Sequence, residues 1–273
     1  MSSDTDVSIE FNEVRCLQNP RGRGVRWAAG DDRFTFQVDR VARYGVQQGS
    51  RVLVSPYAGA VKADIEAFFF GTTMAALLLQ RKRLALHGGG IATKAGESVL
   101  FSGDSGAGKS TLLATFASQG FSLISDDLTS LEVIDNSLIA HQAYPGLKLS
   151  VDALRHLRVS PDEWVAIRPG VQKFRVFQDS FFPTGSRPCA LIFIETTNES
   201  KSRIVKLSRF EGLERLVNNT YRPKFPGALG VLSELFPIME RICKDCALYL
   251  LTRPVFGEAP EATVGRVLSE LSW

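Results

Sequence analysis

One stretch of this chain has residue types at a spacing that can hold a phosphate. Gly103, Asp104, Ser105, Gly106, Ala107, Gly108, Lys109 and Ser110 fit the pattern GxxxxGK[ST] throughout. In such a loop the glycines let backbone N–H groups converge on an anion where a Cβ would obstruct. The positive end of a following helix adds to the attraction. Lys109 then reaches the β- and γ-phosphates of a nucleotide, Ser110 is placed to ligate Mg²⁺, and Thr111 completes the binding set. The expected cofactors are ATP and Mg²⁺.

A phosphate cradle does not define a reaction, because phosphoryl transfer also needs an aligned nucleophile and charge neutralisation. Asp126 and Asp127 follow an apolar run at 121–124, and a parallel neighbour of the loop's own strand would bring them to the same sheet edge as the phosphates. One carboxylate then suits Mg²⁺ and the other suits the proton of an incoming hydroxyl; the plain alternative is a pair of turn-capping aspartates. His87 ends a short apolar run and is followed by three glycines that clear space around it. A core or turn histidine is the ordinary alternative. Lys173 and Arg175 alternate on an expected strand, so both face one side, where they would neutralise transition-state charge or lie on an edge strand as surface cations.

The surrounding elements must position these groups. Residues 7–60 carry short alternating apolar runs separated by turn residues, which predicts a small antiparallel meander, with the basic turn at Arg21, Arg23 and Arg26 as a solvated loop or, alternatively, a contact for an acidic substrate. A helix is expected over 62–83, with Asp64 and Glu66 in its first turn and basic residues closing it. Short strands at 84–86 and 98–101 lead into the loop, and a helix over 109–118 stops at Gly120. Strands follow at 130–134 and 138–140, then a turn at Tyr144, Pro145 and Gly146. Ser160 to Glu163 reads as a capping box with proline at the first helical position. Strands at 175–177 and 190–195 precede a second capping box, Ser208 to Glu211, opening a helix to about Asn218. A helix near 229–243, a strand at 248–251 and a helix over 262–271 complete the pattern. The fold class is therefore α/β with a mixed sheet. Two parts are expected: a β-rich subdomain over 1–61 and the loop-bearing domain over 62–273.

Composition narrows the classes. Net charge is +3, with 32 basic against 29 acidic residues, too even for a nucleic-acid partner. The most apolar stretch, residues 67–79, is too short to span a bilayer, and the polar start lacks a signal peptide's pattern, so a cytoplasmic protein without membrane attachment is expected. Cys243 and Cys246 form a CxxC with no second ligand pair, a weak signal that favours two core thiols over a redox or zinc site.

His87-Gly88, the loop in its less general form GDSGxGKS, and Asp126-Asp127 together resemble the catalytic domain of HPr kinase/phosphorylase, a bacterial serine kinase with a phosphoenolpyruvate-carboxykinase-like P-loop fold. The resemblance is strong over roughly residues 84–130. It continues weakly through Tyr144 to Lys148 and Lys173 to Arg175, which are similar to stand-alone HPr-kinase-related proteins. It implies Asp126 as general base, Asp127 supporting it or the metal, and His87 assisting near the transferred phosphoryl group. The family's signature segment, which supplies a metal-binding glutamate and supports phosphorylase activity, has no clear copy here; Glu163 is the candidate second ligand. The family's N-terminal regulatory domain is replaced by the meander. Stand-alone relatives accompany peptide-modification gene sets, including lasso-peptide clusters, so the resemblance implies a serine hydroxyl of a peptide or protein as acceptor, and it allows a homo-oligomer. The competing expectations are a small-molecule hydroxyl kinase and a nucleotide-binding switch. A transport ATPase is disfavoured by the absence of an LSGGQ-type signature, and a GTPase by the absence of NKxD.

Overall fold

The computed structural model describes residues 7–142, 146–160, 162, 164–168, 170–176, 181–182 and 185–273. The chain opens with β1 (Ser8–Phe11), β2 (Gly22–Arg23), β3 (Trp27–Gly30), β4 (Arg33–Val38), β5 (Ala42–Gln47) and β6 (Arg51–Pro56). Strands β2 to β6 form the expected antiparallel meander, but β1 joins the edge of β6 in parallel. That placement covers hydrogen-bonding groups the meander would leave open, and Arg51 fixes it by donating to Glu10 at 2.6 Å. Alternation along β4 and β5 turns Phe34, Phe36, Tyr44 and Val46 inward. The Tyr44 ring stacks on Phe36 at 4.5 Å, and its hydroxyl donates to the Ile65 carbonyl at 3.0 Å, tying this sheet to the helix that follows.

That helix is not continuous. It runs as α1 (Lys62–Phe68), a π-helical turn over Phe69–Thr73, and α2 (Met74–Gln80). Gly71 sits in the wide turn, where a Cβ would lie 2.8 Å from the Tyr221 hydroxyl. The interruption thus coincides with the approach of a tyrosine from far along the chain.

Next come β7 (Leu84–Leu86), β8 (Gly88–Ala92), β9 (Glu97–Gly103), α3 (Lys109–Ser118), β10 (Ser122–Ser125), β11 (Thr129–Ile134) and β12 (Ser137–Gln142). They are followed by β13 (Leu147–Ser150), α4 (Val151–His156), β14 (Val165–Ala166), β15 (Lys173–Val176), β16 (Arg187–Thr197) and β17 (Arg203–Lys206). The chain finishes with α5 (Arg209–Asn218), α6 (Phe225–Leu229), α7 (Leu232–Asp245), β18 (Ala247–Pro254) and α8 (Pro260–Leu271). The central sheet has the order β10-β8-β9-β16-β18-β17. Strands β9, β16 and β18 are parallel, whereas β8 and β17 run against their neighbours, so the sheet is mixed, as expected. Both faces are buried. Phe101, Ile192 and Leu251 pack toward Leu112, Phe116 and Val264 of α3 and α8, while Leu100, Phe193 and Leu248 pack toward Leu235, Met239 and Ile242 of α7. This two-sided burial explains the nearly continuous apolar runs of β16 and β18. The second core joins residues of the N-terminal sheet, α2 and α7 without a break.

Several expectations need correction. The three glycines after His87 form strand β8 and are not a clearing around its ring. A Cβ on Gly89 would strike the Ser125 carbonyl and lie 2.8 Å from the Asp126 Cα, so glycine lets β10 and α3 come close. The helix start at Ser160 involves Pro161 and Glu163, which lie outside the described residues; β14 follows directly, held by pairing with β15. Tyr144, Pro145 and Phe177 also lie outside them. The short helix α4 carried no sequence expectation, although the Ser150 side chain caps it by accepting from the Ala153 N–H at 3.3 Å. The capping box at Ser208 is present in full. The helix expected near 229–243 is present as α7, beginning at Leu232; Gly230, with φ of 73°, ends the short helix α6 before it, which carried no sequence expectation. Cys243 and Cys246 are buried, the Cys246 thiol donating to the Pro188 carbonyl, and burial pushes that thiol up to about 12. Among the described residues no helix is long and apolar enough to cross a membrane.

Candidate phosphate-binding site

Strand β9 delivers the chain to Gly103, whose φ of 152° and contact with Ile194 leave no room for a side chain; a Cβ would collide with the Ile194 carbonyl oxygen. The loop ends at Gly108, left-handed at φ 88°, and α3 begins at Lys109. The Lys109 ammonium is buried and donates to the carbonyls of Gly103 at 2.6 Å and Asp104 at 3.0 Å. Burial pushes its pKa down, with Asp127 and Asp126 pulling the other way. Two of the loop's carbonyls therefore face a cation.

The aspartates reach the same edge by a route the sequence reading did not contain. β10 is not a direct neighbour of β9. Strand β8 lies between them, antiparallel to both, so β9 and β10 point the same way and end together. Asp126 is buried. Its Oδ2 accepts the Lys148 backbone N–H at 2.7 Å, while Oδ1 is buried without a hydrogen-bond partner. Burial raises the Asp126 pKa to about 6, against the lowering pull of Ser110 and the Lys148 N–H. The Ser110 hydroxyl thus lies near enough to favour the charged carboxylate, but it leaves Oδ1 without a hydrogen-bond partner.

Asp127 has the opposite environment. Burial pushes its pKa up, but Lys148, through its charge and a 2.7 Å hydrogen bond from Nζ to Oδ2, together with His87 and Lys109, brings the net shift down. His87 is fixed through its backbone, whose N–H donates to the Asn219 carbonyl at 2.9 Å and whose carbonyl accepts the Ser102 hydroxyl at 2.7 Å. Its Nδ1 lies 3.2 Å from the Asp127 carbonyl and 3.6 Å from Oδ1, and its ring meets the edge of Tyr221 at 5.4 Å. Burial lowers the His87 pKa despite Asp127, so the ring is neutral at pH 7.

These groups surround a cleft of about 250 Å³. His87, Asp126 and Asp127 line it, together with Ser105, Gly106, Gly108, Lys109, Ser110 and Thr111 of the loop. Gly103, Asp104 and Ala107 support the loop without lining the cleft. Lys173 reaches the wall, whereas Arg175, two residues on, is buried outside it. Sequence reasoning assigned no role to Lys148 or Ser150, which β13 carries to the cleft, or to Tyr221 and Arg253. Lys148 stood only in a segment marked by resemblance, and the other three carried no local signal. Larger hollows exist, one of about 460 Å³ beside Ser202 and Arg266, but none gathers a comparable set of groups.

The orphaned Asp126 oxygen, the glycine-lined loop and the hydroxyl–carboxylate donor set fit a magnesium nucleotide. No family model and no curated protein matches the chain. Among solved structures it is similar to the HPr(Ser) kinase/phosphatase from Coxiella burnetii, at 11% identity over 69% of this chain and 89% of that one, with a TM-score of 0.34. The chain itself is a mixed α/β protein with several sheets.

Proposed function

We propose that this chain is a P-loop kinase that uses ATP and Mg²⁺ to phosphorylate a serine hydroxyl of a peptide or protein, on a phosphoenolpyruvate-carboxykinase-like fold. The observation that carries this reading is Asp126: a buried carboxylate with one free oxygen, a pKa raised to about 6, and a complete phosphate loop beside it. A base so tuned is ionised at neutral pH yet able to accept a proton. In the reaction the acceptor oxygen bonds to the γ-phosphorus, the bond to the ADP oxygen breaks, and the hydroxyl proton passes to Asp126. Lys109 exchanges its loop carbonyls for phosphate oxygens. Ser110 and Asp127 would hold Mg²⁺, with Asp126 also within reach of Ser110, and the metal supplies charge neutralisation on the phosphates. Neutral His87 orients Asp127 beside the transferred group, and Lys173 adds positive charge at the wall.

The modest cleft volume favours a second reading, a small hydroxylated metabolite as acceptor. The test is incubation with γ-labelled ATP, Mg²⁺ and a pooled library of serine-containing peptides, with Lys109→Ala as control. Label on peptide that the control lacks supports the peptide kinase. Turnover of ATP with small hydroxyl compounds alone supports the second reading, and absence of any transfer sinks both.

A further inference from the structure

Arg253 lies far from the loop in sequence and against it in space. β18 is the second strand beyond β9 in the central sheet, and Arg253 near its end reaches the Ala107–Gly108 corner. Its Nη1 donates to the Ala107 carbonyl at a long 3.4 Å and occupies the place where a Gly108 Cβ would stand. Its Nε is buried with no acceptor. Among the described residues no carboxylate comes within 4.0 Å of it. The nearest influence, Glu258, is engaged by the Ser202 N–H at 3.1 Å, the Thr263 hydroxyl at 3.0 Å and Arg266. Burial accordingly lowers the Arg253 pKa.

A half-buried guanidinium with an orphaned N–H and no counter-ion is costly in the free protein. Such a cost is common where a protein is complementary to a missing ligand. The place defines the ligand's chemistry: the N-terminus of α3 and the N–H groups of the loop attract anions, and guanidinium is the side chain best matched to phosphate oxygens. Arg253 abuts Gly108 at one end of the loop, while His87, Asp126 and Asp127 line the cleft without it.

We propose that Arg253 is a nucleotide-binding residue that takes an oxygen of a non-transferred phosphate at the Ala107–Gly108 corner. This rests on the nucleotide-binding reading above and names a residue within it.

The experiment measures the affinity of Mg-ADP and Mg-ATP, and the thermal midpoint without nucleotide, for wild type, Arg253→Gln and Arg253→Lys. The expected result is a 10- to 100-fold loss for both nucleotides in Arg253→Gln, with a smaller loss in Arg253→Lys. The nucleotide-free midpoint should stay level or rise, because an uncompensated charge has been removed. Arg253→Lys, which keeps the charge, carries the test should Arg253→Gln fail to fold. Affinity within twofold of wild type overturns the assignment. So does a lowered nucleotide-free midpoint in parallel with the affinity loss, the mark of a residue that only buttresses the loop. If wild type binds neither nucleotide, the functional reading itself falls; if wild type binds and the variants bind equally, only the role of Arg253 falls.

Discussion

Lys148 Nζ donates to Asp127 Oδ2 at 2.7 Å while the same residue's backbone N–H donates to Asp126 Oδ2 at 2.7 Å. One residue therefore fixes both carboxylates, but by groups of different kind. The backbone bond orients Asp126 and leaves its other oxygen open, and the ammonium holds Asp127 ionised.

Lys148→Met separates these functions. It keeps the backbone donor and removes the cation, so the Asp127 carboxyl should rise. The expected outcome is an acid limb of kcat/KM shifted upward, because the Lys148 charge also holds the Asp126 pKa down and its loss lets that base rise further, and a stability loss on the order of 1–3 kcal/mol from an uncompensated, partly buried charge. A pH–rate series and denaturant unfolding would check both; an unmoved acid limb would detach Lys148 from the chemistry.

Asp126→Asn should lose roughly 10²–10⁴-fold in turnover while still binding nucleotide. Its effect on stability has the opposite sign. The Asp126 pKa is raised from 3.8 to about 6 on folding, so burying the charged form destabilises the protein. That penalty is absent below pH 3.8, grows between there and about 6, and stays at its full value above. The asparagine variant should therefore be more stable than wild type at pH 7.5 without metal, by up to about 3 kcal/mol, and no more stable at pH 3.5. Equal stability at pH 7.5 would contradict the burial cost.

His87 should titrate below its ordinary 6.5, because burial outweighs the attraction of Asp127. As pH falls through 6.5 the unfolded chain takes the proton first, so wild type loses stability there relative to His87→Gln. Ring NMR shifts read the titration directly. With Asp127→Asn the His87 pKa should fall further, since the group that raises it has gone.

Gly89→Ala should lower stability by about 1–3 kcal/mol through overpacking. The new methyl would lie 2.8 Å from the Asp126 Cα and crowd the Ser125 carbonyl, so β10 must shift. Turnover should fall more than nucleotide affinity, because the Asp126 backbone is crowded directly whereas α3 is met only at the flexible end of Leu113. A thermal midpoint within one degree of wild type, about 0.6 kcal/mol or less, would show that the strand yields freely.

Much of the local structure was legible beforehand. The GxxxxGK[ST] spacing marks a strand, a loop and a helix in order, and the structure has β9, the loop and α3 there. The Ser208–Glu211 box opens α5 because the serine and glutamate satisfy each other's backbone N–H groups within one turn. The alternating runs over 27–56 became antiparallel strands because successive side chains point to opposite faces. The π-turn at 69–73 and the strand at 88–92 were not legible, since each is set by a distant neighbour: Tyr221 at Gly71, and β9 and β10 around the glycines.

The same division runs through the site. Sequence alone determined the glycine-rich loop between a strand and a helix, its lysine and serine, and the adjacency of two aspartates, because backbone sterics and hydrogen bonding act within a few residues. Only the tertiary structure decided that the aspartates differ, one buried with a free oxygen and one paired. That difference comes from Lys148 on β13, which belongs to another sheet. Likewise Arg253 meets Ala107 across 146 positions of sequence. Which carboxylate is desolvated and which is neutralised depends on strand order and on the depth at which each side chain is buried, and no local pattern encodes either.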